Sequence, residues 1–282
     1  MIKRIYLEIT NICNLTCSFC HGTRREQRMM SAPEFGSITD KLKGRAEFLY
    51  FHLMGEPMLH PDLPSFIRLA SEKGFRPVLT TNGTLLPNRG REILQTPLYK
   101  INISLHSAEA NPGRSAEGFA EECIAFAKAS AGKEILTVFR LWNIGGLERN
   151  NGELLSVMKA EYPSEWIKTR SGYRLADRTF IEFGQRFDWP DTDAEEHDGE
   201  LFCYALRDQI GILCDGSVVP CCLDADGVMT LGNIHDSDLE TILSSGRARR
   251  IYDGFTSHRA SEDLCRRCGY AAVTKKYRAR DK

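Results

Sequence analysis

The sequence predicts an α/β fold: an open, partial (β/α)6 barrel followed by a small cysteine-rich C-terminal domain. Three observations predict it. Strand-like and helix-like segments alternate through the first two thirds of the chain, composition shifts after about Phe187, and six of ten cysteines fall in the last eighty residues. Alternation of this kind belongs to a parallel sheet with crossover helices.

Strand-like runs cover Arg4–Thr10, Glu47–Leu53, Arg76–Thr81, Lys100–Leu105, Glu134–Leu141 and Thr179–Phe183. A helix opens at Ser31-Ala32-Pro33-Glu34, where Ser31 accepts from the first turn and Glu34 reaches back as a capping box. Further helices are predicted from about Asp62 to Lys73 and from about Ser115 to Ser130. Six β–α units are too few for an eight-stranded barrel, so the expected form is an incomplete, TIM-like one. The barrel is assigned to residues 1–190, and the linker with the second domain to 191–282. The acidic stretch Asp188–Glu200 reads as a linker or exposed loop. Beyond it, Asp215-Gly216 between Ile210–Cys214 and Ser217–Val219 signals a hairpin, and a helix is predicted near Asp238–Ser245.

Of 282 residues, 42% are hydrophobic and 27% charged, as in a soluble globular protein. The net charge of −1 excludes a general field that would draw the chain to nucleic acid or an anionic membrane. The basic runs Arg247–Arg250 and Lys275–Arg280 read as solvated helix faces or a tail. No apolar run is long enough to span a bilayer, and the N-terminus lacks the apolar stretch of a signal peptide, so a cytoplasmic location is expected. In that reducing setting ten cysteines point to metal binding or catalysis rather than disulfides.

Cys13-x3-Cys17-x2-Cys20 follows the first strand directly, at the carboxyl end where open α/β sheets bind ligands. Thiolates select iron–sulfur clusters, zinc or copper(I), and three cysteines in eight residues can hold three corners of a cubane. A structural zinc site would need a fourth ligand, for which the adjacent His21 is awkwardly placed. With Phe19 before the last cysteine, the motif resembles the signature of the radical S-adenosylmethionine (SAM) superfamily. The resemblance implies a [4Fe–4S] cluster whose open iron chelates SAM. One electron would cleave SAM to methionine and a 5′-deoxyadenosyl radical that takes a substrate hydrogen atom. An external reductant such as flavodoxin or ferredoxin is the implied partner.

Gly55-Glu56-Pro57, at the end of the second strand, resembles that family's GEP element, which meets the SAM amino group. Glycine permits close backbone approach, and a carboxylate offers charge-assisted hydrogen bonds to an ammonium. Thr81-Asn82-Gly83 and Ser104-Leu105-His106 end strands three and four and resemble SAM-contacting positions, although His106 departs from the more usual Asp. Arg140 is a candidate for the SAM carboxylate or, equally, a strand residue with its charge in solvent. The expected SAM set is therefore Phe19, Gly55, Glu56, Pro57, Asn82, Ser104 and Arg140.

Cys203, Cys214, Cys221, Cys222, Cys265 and Cys268 form the second group. On spacing alone, Cys265-x2-Cys268 suits zinc or iron–sulfur equally. The order Cys…Gly216-x4-Cys221…Cys265-x2-Cys268 resembles the SPASM and twitch extensions of radical SAM enzymes. The full SPASM pattern has further cysteines, so the resemblance implies a twitch-type domain. Cys203, Cys221, Cys265 and Cys268 would hold its one auxiliary [4Fe–4S] cluster. Cys222 competes with Cys221; Cys214 is expected to be neither ligand nor redox thiol, and Cys123 sits on an apolar helix face as core.

A fully ligated auxiliary cluster suits electron transfer, so the expected enzyme is an oxidoreductase acting on a small metabolite or a peptide. Peptide-modifying relatives often carry an N-terminal peptide-binding domain, and this chain opens at its first strand, which tilts the expectation to a small or separately delivered substrate. A redox-neutral epimerase with Cys214 or Cys222 as hydrogen donor is the second reading. A non-catalytic zinc module is the third, and it leaves Gly55-Glu56-Pro57 without a task. Trp142, Trp166, Trp189, Tyr173 and Phe183 are candidates to line the substrate cavity, and His52, Glu182 and Asp188 are candidate bases.

Overall fold

Period-two patterning sorts the residues of each barrel strand between two environments. In the computed structural model, which describes residues 2–111, 113–197 and 200–271, one face of each strand packs on helices and the other faces a cavity. β1 (Arg4–Leu7) sends Ile5 and Leu7 into the helix-covered core, while Arg4 and Tyr6 line the cavity. β2 (Phe48–Phe51) does the same with Leu49 and Phe51 against Tyr50. β3 (Arg76–Thr81) and β4 (Lys100–Ser104) bury Leu79, Ile101 and Ile103 and turn Thr80, Lys100 and Ser104 inward. β5 (Leu136–Ile144) turns Arg140 and Trp142 inward.

The strand after β5 differs from the expected simple alternation. A short meander, β6 (Ile167–Lys168) and β7 (Gly172–Ala176), precedes β8 (Thr179–Gln185), and only β8 continues the parallel order beside β5. The six predicted barrel strands are therefore β1, β2, β3, β4, β5 and β8, all parallel. Helices α1 (Ala32–Leu42), α2 (Leu63–Glu72), α3 (Leu86–Ile93), α4 (Ala116–Ala131) and α5 (Asn151–Glu161) supply the outer layer. The capping box of α1 forms as predicted, with the Ser31 amide donating to Glu34 at 2.8 Å and the Glu34 amide donating to Ser31 Oγ at 3.4 Å.

The Asp215-Gly216 hairpin also forms, between β9 (Gln209–Ile212) and β10 (Ser217–Val219), with Gly216 at φ +85°. Its placement is what the sequence does not reveal. β9 pairs in parallel with β1, so the order among the described residues is β11-β10-β9-β1-β2-β3-β4-β5-β8-β7-β6, where β11 is Gly232–Asn233. The sheet runs across the expected boundary at residue 190 and stays open, since β11 and β6 end it. Helix α6 (Leu239–Leu243) sends Leu239 and Ile242 into the main core, while α7 (Gly246–Thr256) and α8 (Asp263–Arg266) pack around a second apolar cluster of Leu201, Met229, Ile251, Phe255 and Leu264.

The expected basic face lies on α7, but Arg247 turns inward to pair with Glu262 at 2.7 Å. The run Lys275–Arg280 lies outside the described residues. The acidic segment after Phe187 is held down rather than free. The Trp189 indole donates to the Phe19 carbonyl at 3.0 Å, and Arg267 pairs with Glu196 at 3.1 Å. No helix among the described residues is long and apolar enough to cross a membrane.

Candidate functional site

The cysteine loop is closed at its base before it presents any thiol. Met30 donates its amide to Ile9, Asn11 Nδ2 donates to the Glu26 carbonyl at 2.8 Å, and the Arg28 amide returns to Asn11 Oδ1 at 2.8 Å. Within this stitched loop Cys13, Cys17 and Cys20 line one cavity of about 820 Å³. Backbone amides of Leu15 and Gly22 point at the sulfurs of Cys13 and Cys20, at 3.5 and 3.4 Å, and Asn82 Nδ2 stands 3.9 Å from Cys13 Sγ. Burial raises all three thiols, Cys17 to about 12 with help from its two neighbours. Such thiols become thiolates only against a compensating cation.

Gly55-Glu56-Pro57 braces this loop. Gly55 has φ +76°, and a Cβ there would lie 2.4 Å from the Thr10 carbonyl oxygen and 2.8 Å from that of Ile12. The close approach that demands glycine is thus to the chain leading into Cys13, and the Glu56 amide completes it by donating to Ile12 at 2.8 Å. The Glu56 carboxylate accepts from the Met58 amide, Thr81 Oγ1 and the Asn82 amide at 2.9, 2.8 and 2.7 Å. Burial nevertheless pushes its pKa up to about 7. Gly55, Glu56, Thr81, Asn82, Ser104 and Phe19 all line the cavity; Pro57 is buried behind it as the first residue of a 3-10 turn. Gly83 instead faces Cys123 and Phe119 in the core.

Arg140 stands in register with Ser104 on the neighbouring strand. Its guanidinium lies over the Trp142 ring at 4.3 Å, its Nε is 3.9 Å from Glu182, and that Nε is buried without a hydrogen-bond partner. Tyr6, Tyr50, His52 and Lys100 line the same cavity. Burial, then the charge of Arg140, holds His52 down at about 4, and burial does the same to His106, so both rings are neutral near pH 7. His106 packs against Phe19, with ring centroids 5.0 Å apart, and bonds through Nδ1 to the Arg140 carbonyl at 3.0 Å. Of the aromatic candidates, Trp142 and Trp189 line the cavity, while Trp166, Tyr173 and Phe183 pack on the main core. His52 and Glu182 line it as well; Asp188 does not.

Cys203, Cys221, Cys265 and Cys268 all pack in the second apolar cluster and all line the same cavity. The adjacent Cys222 turns away from them into a third cluster with Tyr6, Tyr50, Leu53, Leu213 and Val219. Burial raises all five thiols, and the charge of Cys203 adds to the rise in each of the other four. Cys214 is buried off the cavity, its amide donating to Glu8 at 3.2 Å, and Cys123 is core. None of the ten cysteines is joined in a disulfide.

The two thiol groups are linked by residues the sequence did not single out. The Arg24 amide and Thr23 Oγ1 donate to Asp226 at 2.8 and 2.9 Å, and Arg25 Nε reaches the Ala225 carbonyl at 2.8 Å. Arg25 also pairs with the buried Glu8 at 2.8 Å, and Glu8 accepts from the amides of Met54 and Cys214. One buried carboxylate therefore joins the cysteine loop, the second strand's end and the C-terminal hairpin. Only their three-dimensional meeting marks these residues, since Arg and Asp in loops carry no local signal.

The donor chemistry fits iron–sulfur clusters. Among the described residues no three His, Cys, Asp or Glu side chains converge on a single-ion position. The fit rests instead on soft thiols lining one cavity, with amides aimed at the sulfurs of Cys13, Cys20 and Cys203. Cys13, Cys17 and Cys20 would hold one cluster, and Cys203, Cys221, Cys265 and Cys268 the other.

Residues 7–131 match the Radical SAM superfamily, and residues 203–269 match SPASM, an iron–sulfur cluster-binding domain. A probable GTP 3′,8-cyclase of Sulfolobus acidocaldarius is 35% identical over 121 residues, covering 38% of this chain and 36% of that protein. A counterpart from Methanococcus maripaludis is 35% identical over 111 residues, 37% of this chain and 36% of that protein. The match thus spans little more than a third of these relatives. Among solved structures, BtrN in complex with AdoMet and 2-DOIA superposes with a TM-score of 0.65 at 19% identity, over 95% of this chain and 93% of that one. The anSMEcpe structure with AdoMet and Cp18Cys peptide gives 0.62 at 15%, over 99% and 95%. Streptococcus suis SuiB bound to S-adenosylmethionine gives 0.61 at 17%, over 98% and 74%. At these identities the likeness establishes the fold. The two matched domains imply SAM and [4Fe–4S] clusters as cofactors.

Proposed function

Because the chain belongs to the radical SAM superfamily and carries a C-terminal SPASM domain, we propose that it is a SAM-dependent radical oxidoreductase, dehydrogenating or cross-linking its substrate. Cys13, Cys17 and Cys20 would hold the cluster, which when bound would supply the electron for SAM cleavage and so for removal of a substrate hydrogen atom. Gly55, Glu56, Asn82 and Ser104 line the cavity beside that loop and would orient SAM, with Phe19 against its adenine side. Glu56 keeps one lone-pair direction beyond its three internal bonds, which suits the SAM ammonium. Arg140, whose Nε has no hydrogen-bond partner among the described residues, is the fork we assign to the SAM carboxylate.

The observation that carries the oxidative reading is a shared cavity. Both thiol groups line it, so a substrate between them would have an electron acceptor within reach. Trp189 and the Asp226 contacts hold the cavity wall beside the first group. An external one-electron donor such as flavodoxin or ferredoxin is needed to start the reaction. BtrN was captured with 2-DOIA and anSMEcpe with the Cp18Cys peptide, so we propose either a small molecule or a peptide as substrate.

Anaerobic reconstitution tests it. The wild type should hold about eight irons per chain, and Cys17→Ala and Cys265→Ala about four each. Cys17→Ala should lose dithionite-driven formation of 5′-deoxyadenosine, whereas Cys265→Ala should keep it and lose oxidised product. Unchanged iron in Cys265→Ala would overturn the second cluster. One observation supports a redox-neutral alternative: the Cys222 thiol lines the cavity, whereas Cys214 does not. Uptake of one solvent deuterium into an unoxidised product, lost in Cys222→Ala, would decide for that epimerase.

A further inference from the structure

We propose that Asp226 is a positioning residue that couples the two cluster sites, holding the segment after Cys20 in place from a turn framed by ligands of the second thiol group. The inference rests on the superfamily reading in taking each thiol group as a cluster site. Asp226 Oδ1 accepts from the Arg24 amide at 2.8 Å and from Thr23 Oγ1 at 2.9 Å. Its Oδ2 stands 3.7 Å from His21 Nε2 and 3.8 Å from Arg24 Nε, and the side chain is only 18% exposed. Among the described residues, the hydrogen bonds and ion pairs that residues 21–24 make outside the cysteine loop all go to Ala225 and Asp226. The residues leaving Cys20 therefore have their polar anchorage in the C-terminal part of the chain. Cys20, His21, Gly22 and Thr23 all line the cavity, so this anchorage also fixes its wall.

The turn that presents Asp226 is itself framed by the second thiol group. Cys221 precedes it in the chain. The fully buried Asp224 carboxylate accepts from the amides of Val228 and Met229 at 2.9 and 2.8 Å, and Gly227 supplies the φ of +72° that lets the chain reverse. Met229 then packs in the second apolar cluster, where its sulfur lies 3.4 Å from that of Cys265. The free energy of metal binding is in part the free energy of ordering the ligands and whatever moves with them. Asp224–Met229 is ordered with Cys221 and Cys265, and residues 21–24 with Cys20. The Asp226 bonds thus make the ordering of each site favour the other, and such coupling is reciprocal. Glu8 is a separate link, since its own bonds go to Arg25, Met54 and Cys214 rather than to the turn.

The test is a double-mutant cycle on anaerobically reconstituted protein, built from wild type, Asp226→Ala, Cys265→Ala and the variant carrying both. Iron is counted first. Loss of the first cluster to a chelator is then followed through the part of the reduced protein's electron paramagnetic resonance signal that SAM shifts. Cys265→Ala should speed that loss about tenfold, the size of one charge-assisted hydrogen bond, when Asp226 is present, and by less than about twofold when it is not. Asp226→Asn keeps an acceptor oxygen and should retain most of the coupling. A residue that only stabilised the fold would leave the Cys265→Ala effect equal in both backgrounds; that equality, or no effect in either, would overturn the proposal. If Asp226→Ala takes up no iron at the first site, Thr23→Val, which removes one donor from the other side, replaces it in the cycle. Wild type with only about four irons would overturn the two-cluster reading itself, whereas about eight irons without coupling would overturn this proposal alone.

Discussion

The indole Nε1 of Trp189 donates to the carbonyl of Phe19 at 3.0 Å, across 170 positions of sequence. It joins the segment after the barrel to the residue that precedes Cys20. Trp189→Phe keeps most of the ring and loses this bond, so stability should fall by only about 1 kcal/mol. The larger effect should be local: broadened electron paramagnetic resonance of the first cluster and faster loss of its iron to a chelator. Identical chelation kinetics would mean that the bond does not order the loop.

Gly55→Ala should be far more damaging than its one added methyl suggests. The new Cβ would collide with the Thr10 and Ile12 carbonyls, and φ +76° is strained for alanine. A loss above about 2 kcal/mol in denaturant unfolding is expected, with iron missing from the Cys13 loop. Gly36→Ala, on the exterior of α1 where a Cβ meets nothing, is the control and should change little.

Glu8 and Arg25 make a buried pair at 2.8 Å, with the Glu8 side chain fully enclosed. Glu8→Gln leaves Arg25 without its counter-ion and weakens the hold on Met54 and Cys214. Removing one partner of such a pair costs roughly 3–5 kcal/mol. Urea unfolding of the cofactor-free protein measures this, and a change below the error of the experiment would show Arg25 finding another anion.

The pH dependence of stability in the cofactor-free protein should carry two opposed contributions. Burial raises Glu56 to about 7, so between its unfolded value and 7 the folded state binds more protons than the unfolded one. Its contribution is greatest below about 4.5 and is lost as pH rises towards 7. His52 and His106, held at about 4 by burial, bind fewer protons when folded, so their contribution grows as pH rises from 4 to 6.5. Glu56→Gln should therefore steepen the rise of stability with pH, and His52→Gln should flatten it. The same slope in all three proteins would contradict the buried, neutral state of these groups.

The barrel was legible because its strands alternate and its helices announce their starts. Ser31 and Glu34 identify α1, and β3 lies at the predicted Arg76–Thr81. Helices α3 and α5 were missed: α3 is short and polar on average, and Asn150, before α5, makes no side-chain cap hydrogen bond. The hairpin at Asp215-Gly216 was visible through its turn residues, but its pairing with β1 was not, since strand partners two hundred residues apart leave no local trace. The thiols were found by spacing. The choice between Cys221 and Cys222 needed the fold, because only there does one join the second cluster and the other pack beside Tyr6. Arg140 was a candidate for the SAM carboxylate or a solvated strand residue, and only the curled sheet turns it into the cavity.

The seam between β9 and β1 also bears on how this molecule can be divided. β1 is an interior strand, bonded to β2 on one side and to β9 on the other. A fragment cut near residue 190 would contain every barrel strand and still leave four residues of β1 with a bare, apolar edge open to another chain. Such a fragment should precipitate or pair with itself rather than fold as a smaller enzyme. The C-terminal part is consequently no detachable accessory, and mixing such halves between relatives would need the β1–β9 register matched first.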